Sequence, residues 1–176
     1  HALRAQPWLI MVSPAYAARD FTRLQRQAAA QDGAVTVQRN CDSDTFRATL
    51  SNAALSLSLC GYNTAIEVYA ADVPAVLLPF KNAAGGQMLR AETFASMGKI
   101  ALLPHAERAN PTALLQRMEQ VLARRGAVLP EVQLGGGAVV AQTLIRELAP
   151  EAALSLPVLP RQRRRTAAPL PPPGLV

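Results

Sequence analysis

The residues with the clearest capacity for chemistry lie in one short stretch, Cys60-Gly-Tyr-Asn-Thr-Ala-Ile-Glu67. It follows an apolar run of strand length, turns at Gly61, and opens a helix at Tyr62 or Asn63. A helix that starts at such a turn leaves backbone N–H groups pointing outward at the positive end of its dipole, which suits a phosphate. Thr64 adds a hydroxyl and Asn63 an amide. Glu67 follows Asn63 by one helical turn, so both share a helix face. A carboxylate at that distance from a phosphate can accept hydrogen bonds from a ribose diol. A second loop, Lys81-Asn-Ala-Ala-Gly-Gly86, leads into a helix from Gln87. Gly85 and Gly86 allow close backbone approach.

These loops need a scaffold, and the chain supplies one. Trp8-Leu-Ile-Met-Val-Ser13 is an apolar run of the kind buried on both faces of a parallel sheet. Phe21, Leu24 and Ala28 recur at helical spacing from Ala17 to Gln31, and Asp32-Gly33 stops that helix. Val35-Thr-Val37 is a second strand. The polar loop Arg39 to Asp44 follows, and Ser43 or Asp44 can cap the helix carrying Phe46 and Leu50. Strands are expected at Ala54–Leu59, Ala75–Leu78 and Lys99–Leu103. Between them lie helices from Tyr62 to about Ala71 and from Gln87 to Met97. Asn110-Pro111 is a capped helix start, and Leu114, Leu115, Met118, Val121 and Leu122 share one side of that helix. Gly135-Gly-Gly137 precedes a last helix near Ala138–Leu148. Strand and helix alternate five times, which predicts an α/β fold: a mainly parallel sheet with helices on both faces. Ligands of such sheets bind beyond the carboxyl ends of the strands, where the Arg39–Asp44, Cys60–Thr64 and Phe80–Gln87 loops fall.

Composition narrows the function classes. Of the 176 residues, 50% are hydrophobic, so one domain over residues 1–149 with a sizeable core is expected. From Pro150 the prolines and the cluster Arg161, Arg163, Arg164 and Arg165 read as a disordered tail over residues 150–176. The net charge is +6, but much of it sits in that tail and no aromatic–basic stripe accompanies it, so nucleic acid is not the expected partner. No apolar run reaches the ~18–20 residues of a membrane span. The chain opens at His1 without a signal-peptide pattern, and a fragment truncated at its N-terminus is expected. Cys41 and Cys60 make no disulfide framework, which points to the cytoplasm, and no Cys/His cluster points to a metal. His105 reads as a surface residue, and Ser13-Pro14 lacks the glycines of a nucleophile elbow.

The segment from Cys60 to Phe80, followed by Gly85-Gly-Gln-Met-Leu-Arg-Ala91, resembles the C-terminal, donor-binding domain of the family 28 glycosyltransferases. The resemblance spans roughly residues 8 to 148 and is densest from 55 to 94. It implies the C-terminal half of a GT-B fold, two Rossmann-like halves around a cleft, with a nucleotide-sugar, commonly a UDP-sugar, as substrate and no further cofactor. By position, it sets Gly61, Asn63 and Thr64 against the diphosphate and Glu67 on the ribose hydroxyls, with Tyr62 and Phe80 also among the donor-binding residues. It sets Gln87, with the Gly85-Gly86 backbone, near the donor sugar, and the Arg39–Ser43 loop near the base. Gly86 stands where the family often has an acidic residue, and Asp72 where a glycine is usual. The glycine-rich loop expected after the first strand is absent. The acceptor-binding half, which commonly supplies the catalytic base, is absent too, so no catalytic residue is assigned here. Gly135 to Gly137 match the linker before the family's terminal helix.

The resemblance therefore implies a hexosyltransferase in its intact form, with a nucleotide-sugar donor, an acceptor hydroxyl of unassigned identity and the missing N-terminal half as partners. Its setting would be the cytoplasm, with peripheral attachment to the inner face of the membrane left open. Two alternatives remain at this stage: a sugar-nucleotide 2-epimerase, which shares the cradle, and a non-catalytic nucleotide-binding α/β module.

Overall fold

The computed structural model describes residues 6–39, 42–80, 86–127 and 136–148. The chain is α/β with parallel strands, as the alternation of strand and helix predicts. It divides into two compact units, residues 1–49 and 50–176, and its strands into two hydrogen-bonded sheets. The tail over 150–176 lies outside the described residues.

In the first unit, β1 (Trp8–Val12) pairs in parallel with β2 (Val35–Arg39), Trp8 opposite Val35 and Val12 opposite Arg39. The connecting α1 (Ala18–Ala29) ends on Asp32 and Gly33, at φ 47° and 78°. Both residues take the left-handed conformation that Gly and Asp tolerate best, and so reverse the chain into β2. The strand β1 is half-buried, and Leu9 is 39% exposed. The apolar run predicted burial on both faces. A sheet of two short strands does not enclose its own members, and this overrides the pattern.

The helix α2 (Ser43–Asn52) is capped by neither Ser43 nor Asp44. Asp42 does this instead: its Oδ1 accepts the N–H groups of Asp44 at 3.0 Å and Thr45 at 2.8 Å, and its Oδ2 accepts the Thr45 hydroxyl at 2.7 Å. Three acidic or hydroxylated residues in a row made the register ambiguous. The one that stays outside the helix reaches the second and third N–H groups of the first turn.

In the second unit β3 (Ser56–Leu59), β4 (Ala75–Leu78) and β5 (Ile100–Leu102) form a parallel sheet in the order β3-β4-β5. Helix α3 (Tyr62–Ala70) follows β3, α4 (Gly86–Ala95) follows β4, and α5 (Pro111–Ala123) follows β5 through a 3-10 turn, His105–Glu107. Ala75, Val76 and Leu77 of the central strand are fully buried, and their uninterrupted apolar run suits a strand covered on both faces. On β3 the order is inverted: Ser56 is buried while Leu57 is 40% and Leu59 50% exposed. The Ser56 and Ser58 hydroxyls hydrogen-bond each other at 2.7 Å, so the inward face of this edge strand is satisfied without an apolar side chain.

Between α3 and α4 the Tyr69 and Phe94 rings meet at 5.2 Å between centroids. Met118 and Val121 are the buried residues of α5, whose N-cap Asn110 accepts from the Thr112 and Ala113 N–H groups at 3.1 and 3.2 Å. Asp72, where the resembled family usually has glycine, takes φ 56°. That left-handed position is one that glycine takes without strain. Here a carboxylate tolerates it and pairs with the buried Lys99 ammonium at 3.0 Å. The helix α6 (Gly136–Leu148) begins at Gly136, so Gly136 and Gly137 form its first turn rather than a linker. Gly135 lies outside the described residues. Among the described residues no helix is long and apolar enough to cross a membrane.

Candidate functional site

The candidate residues gather where β3 and β4 end. The two strands are parallel neighbours with Leu59 opposite Leu78, so the loops leaving them emerge side by side. Gly61 is the N-cap of α3, at φ −62° and ψ 154°. Any residue can adopt that extended backbone, so glycine is not required by its conformation. What it contributes is the absence of a side chain over the first-turn N–H groups. A Cβ added there would meet the Thr64 hydroxyl oxygen at 3.7 Å. The corner is accessible: Tyr62 and Asn63 are exposed, and Gly61 and Thr64 half-buried. Glu67, half-buried, sits one turn further along α3.

On the neighbouring loop, Gly86 is the first residue of α4 and would leave open space around an added Cβ. Gln87 follows, and its side-chain oxygen accepts the Phe80 N–H at 2.9 Å. Gln87 was expected beside a sugar, and its oxygen is committed to the loop. What it can offer a ligand is its amide N–H groups. Phe80 is 46% exposed. Gly85 and the segment 81–84 lie outside the described residues, as do Asn40 and Cys41 of the loop expected near the base.

Two arginines complete the corner, and residue patterns gave no role to either. Arg90, one turn after Gln87 on α4, donates to the Cys60 carbonyl at 2.9 Å and lies 5.3 Å from the centre of the Tyr62 ring. Helix α4 therefore touches both loops, through Gln87 to the end of β4 and through Arg90 to the end of β3. Arg108, beyond β5, donates to the carbonyls of Leu78 at 2.9 Å and Pro79 at 3.1 Å and stacks over Phe80 at 4.4 Å. The i, i+3 spacing of Gln87 and Arg90 was the available signal for the first. The second has none, because its partners lie about 30 residues upstream.

Cys60 is fully buried beneath the corner. Burial pushes its thiol above the ordinary range, and the neighbouring Arg90 guanidinium opposes that only in part. Such a thiol is a small packing residue and a poor nucleophile. His105 is exposed on the 3-10 turn. Among the described residues no group of three His, Cys, Asp or Glu side chains could hold a metal ion.

No protein-family model matches this chain, and no curated protein matches it.

Proposed function

We propose that this chain is a nucleotide-sugar-binding domain, the donor half of a glycosyltransferase that moves a hexosyl group from a UDP-sugar to an acceptor hydroxyl. The observation that carries the reading is the reach of α4 to both loops: Gln87 bonds Phe80, two residues after β4, while Arg90 bonds Cys60, the residue after β3. Two helix starts are thereby held at adjacent strand ends, the position at which parallel α/β sheets bind nucleotides. The uncovered N–H groups after Gly61 would receive the diphosphate, with Asn63 and Thr64 beside them. Glu67, a turn along the same helix, would accept the ribose hydroxyls. The Gln87 amide N–H groups would face the oxygens of the sugar, beside Phe80 and the Gly86 backbone.

In the transfer step, the bond from the anomeric carbon to the diphosphate oxygen breaks as the acceptor oxygen bonds that carbon. Charge collects on the departing diphosphate, where the start of α3 stabilises it electrostatically. The proton of the acceptor goes to a base that the resemblance assigns to a second α/β half.

Calorimetry of the full chain with UDP tests the reading. Binding is expected, together with a loss of about tenfold or more in affinity in Glu67→Ala. Absence of binding, or unchanged affinity in the variant, overturns it.

A further inference from the structure

The ends of β3 and β4 carry the same device. At each, an arginine donates to the carbonyl that follows or ends the strand and lies over the aromatic ring two residues later. Arg90 does so for Cys60 and Tyr62, Arg108 for Leu78 and Phe80. Each arginine stands 30 residues after its carbonyl. Arginine suits the task because its guanidinium donates in its plane and stacks through its face at once.

The second bracket has the larger consequence. The Leu103 N–H bonds the Leu77 carbonyl at 3.0 Å, and at Leu78 and Pro79 Arg108 takes over as the hydrogen-bond donor. Pro79 has no N–H with which to anchor itself. Phe80 is thus held at its ring by Arg108 and at its N–H by Gln87. From these contacts we infer that Arg108 is a positioning residue: it fixes the Phe80–Gln87 corner and so sets how the site grips its ligand, without touching that ligand. The effect on ligand follows only if the donor-site reading holds; the effect on the corner does not depend on it.

Amide exchange by NMR and calorimetry with UDP and a UDP-hexose, all on the full chain, separate the two. In Arg108→Ala the Phe80 amide should exchange about tenfold faster, while those of Val76 and Leu77 keep the parent rates. Affinity for the UDP-hexose should fall about tenfold and Arg108→Lys should not restore it, because an ammonium donates to the carbonyls but does not stack. Phe80→Leu, which leaves the carbonyl bonds intact, should weaken the same ligand. This variant and Arg108→Lys decide the matter should the alanine variant fail to fold. An unchanged Phe80 exchange rate, equal acceleration throughout β4, or full rescue by lysine overturns the inference. If the parent binds neither ligand, the donor reading fails and the exchange rates alone judge the bracket.

Discussion

The Gln87 side-chain oxygen accepts the Phe80 backbone N–H at 2.9 Å, so the first turn of α4 is tied to the loop that leaves β4. Gln87→Glu keeps an acceptor at this point but removes the amide donors, and Gln87→Ala removes both. Both should weaken a UDP-hexose by about tenfold, and UDP itself by much less, if the donors face the sugar as proposed. Calorimetry with the two ligands reads the difference. Equal losses for both would place Gln87 away from the sugar.

Asp72 and Lys99 form a second relationship that substitution can dissect. Asp72→Ala leaves a buried ammonium without its carboxylate and a Cβ residue at φ 56°, and about 1–3 kcal/mol of stability should be lost. Asp72→Gly loses the same partner but relieves the backbone, and should be less damaging by about 1 kcal/mol. Urea titration of the three proteins gives the order parent, glycine, alanine. A glycine variant less stable than the alanine one would refute the strain argument.

Asp42 links pH to the start of α2. Hydrogen bonds from Thr45, with help from the Asp44 N–H, hold its carboxyl below the ordinary range. A carboxyl depressed in the folded state stabilises above its unfolded value of about 3.9, and that contribution disappears as pH falls through the folded value. Asp42→Asn keeps a capping oxygen at every pH. The melting temperatures of parent and variant should agree near neutrality, and the parent should drop below the variant on acidification past pH ~4. Parallel curves would show that Asp42 does not act as an ionised cap.

Cys60 acts in the opposite direction. Its thiol is raised by burial, so the folded state favours the neutral form. That contribution is present below the unfolded value of about 8.5 and is lost as pH rises through the folded one. In a Cys41→Ser background the remaining thiol should resist a disulfide reagent at pH ~8 until denaturant is added. Rapid labelling of the folded protein would mean that the corner above Cys60 opens readily.

The local physics of the chain made most of the elements legible. Ala75–Leu78 read as a strand because four apolar residues run between turn signals, and it is β4, with Ala75, Val76 and Leu77 buried. Asn110-Pro111 read as a helix start because an Asn cap followed by proline satisfies the first turn, and it is the start of α5. Spacing alone placed Gly61, Glu67 and Gln87 near two helix starts. It misassigned the α2 cap to Ser43 or Asp44, since adjacent residues of similar chemistry differ only in which one stays outside the helix.

The alternation of apolar runs, turns and caps determined by itself that this chain is a parallel α/β protein with helices opening after Gly61 and near Gln87, because those signals act over a few residues. Only the tertiary structure decided that β3 and β4 are neighbours, that Arg90 and Arg108 bracket their ends, and that β1 stays half-buried. Each of these depends on contacts between segments far apart in the chain, and a residue's own neighbours in sequence carry no signal of what it meets across the fold.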